Sequence, residues 1–181
     1  MKTDMVTPFE RFSRILQNDS HTGGLKPTQW EALRFLGRAN RFSRNPGSVT
    51  SYLGLTKGTV SQTLNSLTAK GLITKTINKV DKRAVVLSLT KKGQKLLADD
   101  PIRLIEKSIQ KLPPEDRDAV STGVEKLIGL MLKERMSKPF GLCNSCQHFA
   151  RNHESGKPHF CQLLKQPLCD EDRTKICVEQ S

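Results

Sequence analysis

Five cysteines lie beyond Pro139 and none before it, at positions 143, 146, 161, 169 and 177, in company with three of the four histidines. Thiols and imidazoles gathered in one short segment point to a metal or cluster, because a stretch of this size cannot bury enough apolar surface to hold itself together. The spacing runs Cys143-x2-Cys146, fourteen residues to Cys161 and fifteen more to Cys177, with Cys169 between the last two. Structural zinc prefers four tetrahedral ligands in two close pairs. Only Cys143 and Cys146 make such a pair, so His148, His153 or His159 would have to complete a mixed site. A cubane iron–sulfur cluster takes four thiolates and accommodates the longer gaps better. Unmetallated redox thiols are the third alternative.

A second set of side chains suits DNA. Thr56 stands where a helix N-cap belongs, and the helix it opens runs to Lys70. Val60, Leu64 and Leu67 recur at helical spacing and form its buried stripe, which turns Gly58, Ser61, Gln62, Asn65 and Ala69 outward. That small, polar face fits a major groove about 12 Å wide, where Ser, Gln and Asn can bond base edges. Thr56, Lys57 and Thr59 share the helix start, with Lys57 positioned for phosphate. Gly71 ends the helix, and two short runs, 72–77 and 84–89, read as a hairpin. Its tip carries Lys79, Asp81, Lys82 and Arg83 and is too basic to be core. We expect a wing on the minor groove or phosphates, with Arg83 inserted and Asp81 holding its guanidinium.

Thr56-Lys57-Gly58-Thr59-Val60-Ser61-Gln62-Thr63-Leu64, Lys70-Gly71-Leu72-Ile73, Asp81-Lys82-Arg83 and Leu89-Thr90-Lys91-Lys92-Gly93 follow in an order that resembles the MarR family of bacterial transcriptional regulators. The resemblance spans roughly residues 7 to 135. It implies a homodimer on a palindromic operator in double-stranded DNA. In the tail, Cys143-Asn144-Ser145-Cys146-Gln147-His148-Phe149 and Phe160-Cys161-Gln162-Leu163-Leu164 resemble the ligand pattern of high-potential iron–sulfur proteins and related small cluster domains. That second resemblance implies Cys143, Cys146, Cys161 and Cys177 as ligands of a 4Fe–4S cluster, preferred over zinc. Phe140, Phe149, Phe160, Leu163, Leu164 and Ile176 would form its dry shell. Ile176 departs from the pattern, which usually has an aromatic before the last cysteine, and Cys169 is either a spare thiol or an alternative fourth ligand.

The elements that must position these groups are mostly helical. Thr7-Pro8-Phe9-Glu10 reads as a capping box opening a helix with Phe9, Phe12, Ile15 and Leu16 on one face. Lys26-Pro27-Thr28 opens a second, with Trp30, Leu33 and Leu36 buried. Arg38, Arg41 and Arg44 crowd the connector before Asn45-Pro46-Gly47, which starts a third helix through Val49, Tyr52 and Leu53; these arginines are phosphate contacts or ordinary loop charges. Beyond the hairpin, Thr90 caps a helix that bends at Asp99-Asp100-Pro101. Ile102, Ile105, Ile109 and Leu112 continue an apolar seam, and a last helix from Pro113-Pro114 places Val120, Val124, Leu127, Ile128 and Met131 on one face. So much apolar surface on two helices calls for a second subunit.

Charge divides the chain at the same place. There are 25 basic and 13 acidic residues through Pro139 and 5 of each thereafter, so the whole net charge of +12 belongs to the first part. We therefore expect a mainly α winged helix-turn-helix homodimer with a small β-hairpin wing over residues 1–139, and a cysteine-rich metal- or cluster-binding module over 140–181. No leader and no membrane span of about 20 apolar residues is visible, and a cytoplasmic location is expected. No paired carboxylates, phosphate loop or Ser-His-Asp order argues for an enzyme. The function expected is a DNA-binding transcriptional regulator, a repressor by preference, modulated by its cysteine-ligated centre. The alternative is a regulator of the same kind with a purely structural zinc module and a small-molecule effector at the helix junction.

Overall fold

The computed structural model describes residues 4, 6–19, 23–77, 82, 84–137, 139–153 and 158–179. Among the described residues, seven α-helices and a two-stranded hairpin come first, and five very short strands follow: α1 (Val6–Asp19), α2 (Pro27–Arg38), α3 (Pro46–Leu53), α4 (Lys57–Ala69), β1 (Ile73–Ile77), β2 (Val85–Leu89), α5 (Lys91–Ala98), α6 (Arg103–Gln110), α7 (Pro114–Glu134), then β3 (Gly141–Leu142), β4 (Phe149–Arg151), β5 (His159–Cys161), β6 (Gln166–Leu168) and β7 (Ile176–Cys177).

The core forms where the apolar stripes of α2, α3 and α4 meet the hairpin. Trp30, Leu33, Phe35 and Leu36 pack with Val49, Val60, Leu64, Leu67, Leu72, Ile73 and Leu87, all essentially sealed from solvent. β1 and β2 pair antiparallel from Ile73 opposite Leu89 to Ile77 opposite Val85. Gly71 takes a left-handed conformation at φ 68° to turn α4 into the hairpin. Arg34 of α2 grips Asp100, at the bend between α5 and α6, through Nε and Nη2, each 2.7 Å from a carboxylate oxygen. Asp100 also accepts from the Ile102 backbone N–H at 3.0 Å, so one carboxylate fixes both the bend and its distance from the core.

The start of α1 differs from the capping box expected at Thr7. Asp4 caps the helix instead, accepting from Val6 N at 3.0 Å and from the Thr7 hydroxyl at 2.6 Å. A carboxylate at a helix N-terminus gains from the helix dipole as well as from the hydrogen bonds, and a hydroxyl gains little from the dipole. Those same bonds lower the Asp4 pKa, the Thr7 hydroxyl contributing most.

Apolar side chains of α1, α6 and α7 are left facing outward. Phe9, Phe12 and Ile15 on α1, Leu104 on α6, and Val120, Val124, Leu127, Ile128 and Met131 on α7 are all exposed, and α7 contributes no buried residue. Among the described residues no helix is long and apolar enough to cross a membrane.

The cysteine-bearing segment is stitched into the first core. β7 pairs with β3, Gly141 opposite Cys177 and Leu142 opposite Ile176. β4, β5 and β6 make a separate three-stranded sheet. Ile176 then bridges to Ala39 just past α2, its carbonyl accepting from Asn40 N at 2.9 Å, and Ile176 and Val178 join the core cluster. Phe140 packs on Tyr52 of α3 with ring centroids 4.6 Å apart.

Candidate nucleic-acid interface and thiol cage

α4 is shaped as its sequence pattern requires. Thr56 caps it, its hydroxyl accepting from Thr59 N at 3.2 Å and lying 2.9 Å from the Thr59 hydroxyl. Val60, Leu64 and Leu67 are buried, while Thr56, Lys57, Gly58, Thr59, Ser61, Gln62 and Asn65 all stand exposed. Asn65 has a partner that the sequence did not suggest: its Oδ1 accepts from Lys75 Nζ of β1 at 2.5 Å, so the outer face of the helix is tied to the hairpin. α3 is capped by Asn45, which accepts from Ser48 N at 2.9 Å, and ends on Gly54 at φ 62°. Of the wing tip, Lys82 is exposed; Lys79, Asp81 and Arg83 lie outside the described residues.

Two of the three connector arginines are engaged by groups of the protein itself. Arg44 donates from Nε to the Ala39 carbonyl at 3.1 Å, and its own carbonyl accepts from Leu87 N of β2 at 2.8 Å. Arg41 lies 3.7 Å from the buried carboxylate of Asp172 and bonds the Pro167 carbonyl. Arg38 faces Glu106 across 3.7 Å of solvent-exposed space. The first two are structural clasps, and Arg41 is one that holds the cysteine segment.

Four of the five cysteines share one cavity. Cys143, Cys146, Cys161 and Cys177 line a space of about 20 Å³ together with Phe42, Phe149, Leu163, Leu164 and Leu168. That is little more than the room one water needs. Cys143 and Cys146 are brought there by a 3-10 turn over Cys143–Ser145, Cys161 by the end of β5, and Cys177 by β7. Cys169 is not among the lining residues; its thiol donates to Asp172 Oδ2 at 3.2 Å, on the 3-10 turn that separates it from Cys177. Of the expected apolar shell, Phe149, Leu163 and Leu164 line the cavity. Phe140 packs on Tyr52, Phe160 on His153, and Ile176 belongs to the main core. His148 lines the cavity, whereas His159 is buried 3.1 Å from Asp170.

The sulfurs are already in a hydrogen-bonded setting. Cys143 is pushed well above the ordinary thiol range, chiefly because its S–H is engaged by Cys177 and also because it is buried. Cys177 is held down to about 6, first by that bond from Cys143, and then by the Glu179 backbone N–H and the side chains of Asn40 and Ser43. Asn40 donates to Cys143 Sγ at 3.3 Å and Leu164 N to Cys161 Sγ at 3.4 Å. Among the described residues no group of three or more Cys, His, Asp or Glu side chains is placed to hold a metal ion. The donor chemistry nonetheless fits a thiophilic metal or cluster: four thiols on one cavity, apolar neighbours, and N–H donors to the sulfurs.

Sequence reasoning missed Asn40, Ser43 and Phe42 as neighbours of the thiols. Asn40 is separated from Cys143 by 103 positions, and the two meet across the Ala39–Ile176 bridge, which no local pattern announces.

Comparison with curated proteins gives no match. The fold has many solved counterparts. The Staphylococcus aureus MepR–DNA complex is 18% identical with a TM-score of 0.58, covering 71% of this chain and 98% of that one. A MarR transcriptional regulator from Methanosarcina mazei Go1 is 22% identical with a TM-score of 0.57, over 71% and 94%. Streptococcus pneumoniae FabT in complex with DNA is 25% identical with a TM-score of 0.57, over 70% and 94%. A substantial part of the chain lies outside each of these matches. Residues 23–84, from the loop before α2 to the foot of β2, match the model of the MarR family, and the fold of this part of the chain is shared with a solved MarR transcriptional regulator.

Proposed function

We propose that this protein is a MarR-type transcriptional regulator that binds an operator in double-stranded DNA as a homodimer, with a thiol-ligated metal centre modulating it. The observation that carries the DNA reading is the outer face of α4: Ser61, Gln62 and Asn65 are exposed over a stripe of buried Val60, Leu64 and Leu67, beside a hairpin wing. A helix of this kind enters the major groove, and Lys57 and Lys82 flank it for phosphate. MepR and FabT, which share the fold, have been solved on DNA. The exposed apolar faces of α1, α6 and α7 support dimerisation, because a lone chain would leave them in water.

The metal reading rests on the four thiols around one cavity. Cys143, Cys146, Cys161 and Cys177 would hold the group, with a 4Fe–4S cluster preferred over zinc. When bound it would supply redox or metal sensitivity. The chain's own contribution is to present four sulfurs, donate N–H groups to three of them and exclude water with Phe42, Phe149 and Leu164. Repression by occlusion of a promoter is the preferred output, and the protein would work in the cytoplasm.

The test is an absorption spectrum with iron, sulfide and zinc analysis on protein purified without oxygen, followed by selection of bound sequences from a random DNA library. Brown colour with iron and sulfide and recovery of a palindromic site support both parts. Recovery of no preferred DNA sequence sinks the regulator reading, and neither iron nor zinc sinks the metal reading. The second reading, a small-molecule effector, is favoured by a cavity of about 470 Å³ at the junction of α1, α2, α3 and α6, lined by Leu16, Arg34, Tyr52, Leu53, Ile105 and Phe140. Colourless protein with stoichiometric zinc and redox-insensitive DNA binding would support it.

A further inference from the structure

Asn40 is buried and uses its whole amide. Oδ1 accepts from Phe42 N at 3.1 Å and Ser43 N at 2.9 Å, which fixes the amide orientation and leaves Nδ2 to donate to Cys143 Sγ. Ser43, at the other end of this turn, accepts from Val178 N at 3.2 Å and reaches Cys177 with its hydroxyl. The same loop continues into the reading head. Asn45 Nδ2 donates to the Phe42 carbonyl at 3.1 Å while Asn45 Oδ1 caps α3, and the Arg44 carbonyl accepts from Leu87 N of β2. A chain of hydrogen bonds thus runs from two cage sulfurs to the first turn of α3 and to the root of the wing.

We infer, on the reading that the thiol cage holds a metal, that the 39–45 loop is the element through which occupancy of the cage reaches the DNA-reading helices, with Asn40 and Ser43 as its positioning residues. A thiol sulfur is a weak acceptor, whereas a metal-bound thiolate is a charged one, so exchange of the Cys143 proton for a metal strengthens the bond that sulfur accepts from Asn40, while Ser43 keeps Cys177 in register beside it. Because Asn40 Oδ1 is pinned by two backbone N–H groups, that pull is passed to the turn and to the α3 cap. The competing route, through α7, is less direct: α7 faces the cysteine segment across an open groove of about 920 Å³.

The test is hydrogen exchange on the full-length protein, metal-free and after anaerobic loading with Fe²⁺ and sulfide or with Zn²⁺ alone. Loading should slow exchange at the amides of Phe42, Ser43 and Ser48 by about 5- to 150-fold, the span of ordinary allosteric coupling. Asn40→Asp keeps the acceptor for the turn and loses the donor to sulfur. It should lower metal affinity about 10- to 100-fold and, at saturating metal, abolish the slowing. Ser43→Ala, which leaves Asn40 in place, should diminish it, and serves if Asn40→Asp fails to fold. Slowing confined to α6 and α7, or undiminished in both variants, overturns the proposal while leaving the cage reading intact. Wild-type protein that retains neither iron nor zinc overturns both.

Discussion

Gly93 lies against the Leu72 carbonyl so closely that a β-carbon there would stand 2.2 Å from the oxygen and 3.1 Å from the carbonyl carbon. The contact sits where the start of α5 meets the turn between α4 and β1, and it is closed on the other side by Thr90, whose N–H donates to the same Leu72 oxygen at 3.0 Å and whose hydroxyl receives Gly93 N at 3.0 Å. The glycine of Leu89-Thr90-Lys91-Lys92-Gly93 is a packing requirement. Gly93→Ala should cost about 1–3 kcal/mol, the usual penalty of overpacking, because the obstacle is backbone and cannot rotate away. Urea unfolding of the two proteins would read it, and an unchanged midpoint would refute the contact.

The Arg34–Asp100 clasp is largely buried, with side-chain exposures of 15% and 5%. Arg34→Met should destabilise the fold by about 3–5 kcal/mol, because it leaves the Asp100 carboxylate without its countercharge. Asp100→Asn should cost less, since an amide oxygen can still serve Ile102 N. Thermal unfolding of both variants would order them.

On α4, Gln62→Ala should weaken binding to the selected DNA site by about 1–3 kcal/mol and leave binding to random DNA unchanged, as expected for a base contact. Lys57→Ala should weaken both and reduce the slope of log affinity against log salt by about 1. Arg83→Ala should also cost about 1–3 kcal/mol with the dimer intact. Salt titrations of fluorescence anisotropy would separate the three.

Ser substitution at each cysteine should divide them by place. Cys143→Ser, Cys146→Ser, Cys161→Ser and Cys177→Ser should each lose metal on gel filtration, and Cys169→Ser should retain it, since the Cys169 thiol is turned to Asp172. Metal retained by Cys177→Ser and lost by Cys169→Ser would reverse the assignment.

Leu127 and Ile128 share the exposed face of α7. A glutamate at either position should weaken dimerisation about 30-fold or more, an effect of ~2 kcal/mol, measured by sedimentation equilibrium.

What the residue pattern revealed was local. Val60, Leu64 and Leu67 announce α4 by their spacing, Thr56 and Gly71 mark its ends, and Val85, Leu87 and Leu89 announce β2; each signal acts within one element. Competing caps were harder to rank, and Asp4 displaced Thr7 by virtue of its charge. That Cys177 lines the cavity while Cys169 bonds Asp172 goes with a five-residue 3-10 turn over Asp170–Thr174, which spacing alone does not encode. The roles of Asn40, Ser43 and Arg41 depend on contacts across more than a hundred positions, where no periodicity reports.

The bond from Val178 to Ser43 spans 135 positions. During synthesis at about 5–20 residues per second, the 39–45 loop therefore waits roughly 7 to 27 s for the strand that completes its surroundings. Until then Ala39 has no bridge and the core lacks Ile176 and Val178. In nascent chains the 39–45 loop and this edge of the core are therefore completed last, in the same event that assembles the sulfur cavity.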